Sequence, residues 1–245
     1  TLFSRKPETL TIGEWTVDIT GGKIGSVSHT TLGEVLRGVD LIFIETTDSD
    51  CNASANRRSN LIGLDGEDAE APNEMSGDFE NNGEIVATHA FEPTDWSLME
   101  AGPLGARLYF TGQLAGNPTE LEAFIDAHTG RWDCKVRSYV TNTATGYLLA
   151  QVTPAFEGTA HADIPFGVES RDMTGEPFPA VSERGKLKPF WGHSWASVSD
   201  GDRGVAFLST PGLFGYRKAE GAFQHIILKT IGPGYQAGTR WGNRN

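Results

Sequence analysis

Leu10-Thr-Ile-Gly-Glu-Trp-Thr-Val-Asp-Ile-Thr-Gly-Gly-Lys-Ile24 is the stretch on which the fold turns. Within it Leu10 and Ile12, then Trp15, Val17 and Ile19, alternate with polar residues. A period of two sends successive side chains to opposite faces of an extended chain, so the run reads as a half-buried strand. Gly21-Gly22 breaks it as a hairpin turn does. Ile24 to Ser28 follows as a second strand.

The pattern continues downstream. Val39 to Thr46 is rich in β-branched and aromatic residues and reads as a buried strand. Further strands are expected over Ile85–His89, Trp96–Met99, Arg107–Thr111, Leu121–Ile125 and Tyr147–Val152, and again over Gly204–Ser209 and Phe223–Ile231. Arg131–Val140 alternates too, placing Trp132, Cys134, Val136 and Ser138 on one face. No ten-residue stretch carries a 3.6 period with caps at both ends. Turn signals recur about every 8–12 residues, the spacing of a sandwich or barrel. The expectation is an all-β fold, a large antiparallel β-sandwich that takes residues 1–245 as a single domain.

Composition agrees. Among 245 residues there are 30 Gly and 12 Pro, and so many turn formers suit short elements joined tightly. The formal net charge of −12 repels phosphate backbones, so no nucleic-acid partner is expected. No window has the apolar length of a membrane-spanning helix, and no membrane partner is expected. Residues 47–84 crowd carboxylates such as Asp65, Glu67, Asp68 and Glu70 among few apolar residues, and read as a long acidic loop or insertion within the sandwich. No calcium loop of the helix–loop–helix type is spelled there. Cys51 and Cys134 stand in no metal-binding or redox spacing. They read as two free thiols of a cytosolic protein, with one disulfide as the alternative.

Several phrases, in order, resemble glycoside hydrolase family 38, the α-mannosidases. The opening Leu10–Val27 with Thr30-Thr-Leu-Gly-Glu-Val-Leu36 resembles the strand pair that begins that family's C-terminal β-domains. Met99-Glu-Ala-Gly-Pro103 is similar to its E-x-G-P phrase, and Asp163-Ile-Pro-Phe-Gly-Val-Glu-Ser-Arg171 to its D-I-P-F-G-x-x-E-R phrase, with Ser170 separating acid from base. Trp195 with Ser199-Asp-Gly-Asp-Arg-Gly-Val-Ala-Phe-Leu208, then Gly215-Tyr216, resembles W-x-x-x-S-D-G-x-R-G-V-A-L-L-N…Y-G-Y. The resemblance implies a supersandwich of the galactose-mutarotase-like kind. It also implies a zinc-dependent catalytic barrel, as an N-terminal domain or partner chain, that this sequence does not spell. No cofactor is expected in this chain; zinc belongs to that barrel. Carbohydrate is the expected substrate or ligand.

The candidate site residues lie inside these phrases. Glu100, Asp163, Glu169, Arg171 and His193 are the catalytic candidates, since paired carboxylates flank the bond cleaved by most glycosidases. The competing reading makes them structural, with Arg171 and Arg203 paired to carboxylates at strand ends. Arg171, Trp191 and Trp195 are the substrate-binding candidates, because indole rings stack on sugar faces as well as filling cores. His161-Ala-Asp163 spells H-x-D, but two ligands do not make a zinc site, and no metal is expected there. His193-Ser194 lacks the third group and the elbow of a hydrolase triad. Three functions stay open: an accessory sandwich of a glycosidase, a free-standing carbohydrate-binding module, and a small mutarotase- or lyase-like enzyme using His193 or His225 beside a carboxylate.

Overall fold

The computed structural model describes residues 6–46, 85–140, 144, 146–164, 167–172, 190–192, 195–208, 214–219 and 221–230. In chain order the strands are β1 (Thr9–Ile12), β2 (Trp15–Thr20), β3 (Lys23–His29), β4 (Gly33–Thr46), β5 (Ile85–Ala90) and β6 (Glu92–Gly102). They continue as β7 (Gly105–Leu114), β8 (Asn117–Asp126), β9 (Trp132–Ser138), β10 (Gly146–Pro154), β11 (Thr159–Ile164) and β12 (Gly167–Asp172). The last are β13 (Phe190–Gly192), β14 (Trp195–Ser199), β15 (Gly204–Leu208), β16 (Phe214–Ala219) and β17 (Ala222–Thr230). Among the described residues there is no α-helix. The all-β antiparallel sandwich expected from the sequence is what the chain forms.

A nine-stranded sheet runs β1-β2-β3-β4-β10-β17-β16-β13, with β5 also on β4. Two four-stranded sheets accompany it, β6-β7-β8-β9 and β12-β11-β14-β15. The β2–β3 hairpin follows from its glycines: Thr20 pairs with Lys23, leaving Gly21 and Gly22 as a two-residue loop with φ of 59° and 78°. Both values lie in the left-handed region, as the tight turn matching strand twist requires.

β4 is the spine of the large sheet. Its first half pairs with β3, its second half with β5, and β10 runs along the other edge from Leu36 to Glu45. The register places Leu41 opposite Ala150 and Phe43 opposite Leu148. Leu41, Phe43, Leu148, Val152 and Phe223 belong to one buried cluster. That cluster also takes Leu108, Phe110 and Ile125 from β7–β8, and Ala160, Ala196 and Val198 from β11 and β14. Both small sheets therefore share one core with the large one. Each fully buried side chain of Phe or Leu size stabilises it by about 1.5–3 kcal/mol.

The intervening positions Ile42, Ile44, Tyr147 and Leu149 are buried as well. Buried on both faces, these strands have no reason to alternate, which explains the unbroken apolar runs at residues 41–44 and 147–149. β4 starts at Gly33, well before the strand expected over residues 39–46. Pairing with β3 extends it through Glu34, Arg37 and Gly38, whose local preference for a strand is weak. Cys134 is a free cysteine on β9, exposed as a residue, while burial of its thiol pushes the pKa up to about 11. The acidic segment 47–84, with Cys51, lies outside the described residues.

Candidate functional site

The turn between β14 and β15 is built by one carboxylate. Asp200 Oδ1 accepts hydrogen bonds from the backbone amides of Asp202 (3.1 Å) and Arg203 (2.7 Å). Its Oδ2 accepts two from the Arg203 guanidinium, Nε at 3.0 Å and Nη2 at 2.8 Å. The Arg203 amide, ahead of the guanidinium, holds the Asp200 carboxyl below the usual carboxylate range. Arg203 Nη1 goes on to donate to the Glu34 carbonyl at 3.2 Å, at the start of β4. The guanidinium lies 5.0 Å over the Phe156 ring, in the turn between β10 and β11. One planar fork thus ties three elements together, which a lysine cannot do.

Beside this clasp the surface opens into a cleft of about 340 Å³. Arg37 of β4, the turn Thr153–Gly158, Val198 of β14 and Gly221 before β17 line it. Arg37 Nε donates to Glu34 Oε2 at 3.1 Å. Arg37 and Glu157 face the same cleft without forming an ion pair. Gly158 is essential to the shape: a Cβ there would sit 2.1 Å from the Ser199 carbonyl oxygen.

Glu100 stands apart from the other described candidates, whereas the strands β12, β11 and β14 are neighbours in one sheet and β13 lies against β11. Glu100 lies on β6, where Arg107 Nε stands 3.5 Å from its carboxylate, and Arg107 also pairs with Glu122. Asp163, Glu169 and Arg171 lie in a different sheet, on the β11–β12 hairpin, opposite Val168, Ala162 and Ala160. Trp191 is on β13, at the far edge of the large sheet, opposite Gly215. Trp195 starts β14, half-buried, opposite Leu208. His193 lies outside the described residues. His225 is buried in β17 with its ring 5.1 Å from that of Phe207. Burial pushes its pKa down to about 4, so the ring is neutral at pH 7. Among the described residues no three His, Cys, Asp or Glu side chains are grouped to hold a metal.

Sequence reasoning missed Arg37, Thr153 and Glu157. The visible signal was Thr153-Pro-Ala-Phe-Glu-Gly158, a turn-forming run ending a strongly apolar strand. No family model matches the chain, and no curated protein matches it.

Proposed function

We propose that the chain is the β-sandwich part of an α-mannosidase-like glycoside hydrolase, supporting a zinc-dependent catalytic barrel carried by another domain or chain. The observation that carries this reading is the fate of the S-D-G-D-R-G phrase. Its charged pair, Asp200 and Arg203, is spent on closing a turn and pinning Glu34 and Phe156. A scaffold needs such residues for reasons of shape, whereas a hydrolase needs two carboxylates left free to meet substrate. Glu100 is likewise engaged by Arg107.

The other phrases sit at comparable places. Met99–Pro103 leads into the β6–β7 turn, and Asp163–Arg171 spans the β11–β12 hairpin. Met99 and Leu104 stand 45% and 69% exposed at that first turn, apolar surface of the sort that a neighbouring domain covers.

The test is an intact-mass and sizing measurement on protein from its native source, followed by hydrolysis of an aryl α-mannoside with and without chelator. A larger polypeptide or a tightly bound partner, with activity lost on chelation, is the expected result. A lone chain of this length, with no activity on the mannoside, overturns the proposal.

A further inference from the structure

We propose that the cleft at the β10–β11 turn is a binding site for one neutral pyranose unit of a saccharide, held between Arg37 and Glu157. At about 340 Å³ the cleft falls at the lower end of small-molecule sites, which run from about 300 to 1,000 Å³. Its walls combine apolar surface from Pro154, Phe156 and Val198 with the polar groups of Arg37, Thr153 and Glu157.

The charges decide the ligand class. Glu34 engages Arg37 through Nε, which leaves Nη1 and Nη2 without a partner among the described residues. The Glu157 carboxylate and the Thr153 hydroxyl also have none among the described residues. A phosphate or carboxylate would gain Arg37 but meet Glu157. A cation would gain Glu157 but meet Arg37. A sugar hydroxyl donates to the carboxylate and another accepts from the guanidinium, so a neutral polyol satisfies both without adding charge. The C–H face of a pyranose suits the wall of Pro154 and Phe156.

The site is also held in shape before any ligand arrives. Arg203 fixes Phe156 from one side and Asp200 fixes Arg203. Close approach of Gly158 to Ser199 locks the turn against β14. Preorganisation of this kind lowers the ordering cost of binding. The inference does not depend on a catalytic barrel, since the cleft is formed by this chain alone.

The test uses the full chain labelled with 15N, titrated with the methyl glycosides of mannose, glucose, galactose and N-acetylglucosamine. The expected result is saturable shifts at the amides of Glu157 and Gly158 for at least one glycoside. Glu157→Gln and Arg37→Met should each weaken that binding about tenfold, the loss of one charge-assisted hydrogen bond. Arg137→Gln on β9 should leave it unchanged, and inorganic phosphate should not compete. Thr153→Val serves as the third variant if the amide dispersion of Arg37→Met shows misfolding. The proposal is overturned by any of four results. These are no saturable shift with any glycoside, shifts that map away from the cleft, tighter binding of phosphate, and folded variants that bind as the parent does. Failure here leaves the partner and mannosidase measurements untouched, so the two proposals fail separately.

Discussion

Phe110→Ala and Phe223→Ala test whether the two halves of the sandwich fold as one. Phe110 lies on β7, in the sheet β6–β9, and is 2% exposed. Phe223 lies on β17, is 1% exposed, and its ring stands 5.4 Å from that of Phe207 in the other four-stranded sheet. Both belong to the same buried cluster. Truncating a buried Phe costs about 3–5 kcal/mol, part lost transfer energy and part cavity. A chain of this size loses about 2–4 °C in Tm per kcal/mol. Each variant should therefore melt about 6–20 °C below the parent. The decisive point is the shape of the transition. If the core is shared, differential scanning calorimetry shows one peak in the parent and one, displaced, peak in each variant. The calorimetric and van't Hoff enthalpies should then agree. Two peaks, with Phe110→Ala moving one and Phe223→Ala the other, refute the reasoning. They would divide the chain into separately folding units.

Other outcomes follow from single groups. The His225 pKa lies below that of a histidine in the unfolded chain, near 6.5, so the unfolded state binds its proton first. Stability should be full above about pH 6.5 and fall as pH drops towards 4, by an amount on the order of 3 kcal/mol. Urea titrations at pH 7.5 and pH 5 check this, and His225→Gln should flatten the dependence; an unchanged slope rejects it. Gly130→Ala should lower Tm, because Gly130 has φ of 65° and a Cβ there would lie 2.2 Å from the Trp15 ring; a neutral outcome would show that the turn can shift freely. Asp200→Ala should speed amide exchange at Asp202 and Arg203, which lose their acceptor; unchanged protection would mean that the turn stands without its carboxylate.

The fold was legible wherever one face of a strand meets water. Trp15, Val17 and Ile19 alternate because the other side of β2 is polar, with Thr9 and Ser26 both hydrogen-bonded to Asp18. Trp132 and Val136 were assigned to one face of β9, and both pack against the core. The second four-stranded sheet was harder. Its strands β11, β12, β14 and β15 are five or six residues long, and Ala160, Ala196 and Val198 give it small buried side chains that carry little periodic signal. Residue pattern marked β15, over Gly204–Ser209, and phrase resemblance marked the rest of that region. The candidate site fared worse for a different reason. Arg37 and Glu157 are far apart in sequence and line one cleft only because β10 pairs with β4, and pairing partners are a tertiary choice.

The clasp and the cleft are one feature seen from two sides. β10 leaves the large sheet at Pro154, which takes the last register position against Leu36 after a shift from Val152. Proline cannot donate to a ladder, so the strand must end where it does. The chain then has to cross from the large sheet into β11 of the small one, and Ala155 to Gly158 is the length it has for the crossing. Ala155 spends its amide on the Val35 carbonyl, which keeps the start of the crossing against β4. The remaining turn would splay from the body if Phe156 were not covered, and Arg203 covers it from the neighbouring hairpin. A gap between β4 and the crossing is the consequence, with Arg37 and Glu157 both among the residues that line it. The residues that resemble a glycosidase phrase thus hold open a concavity that they do not themselves line. A structural role for Asp200 and Arg203 and a binding role for the cleft are therefore compatible, and loosening the first should weaken the second.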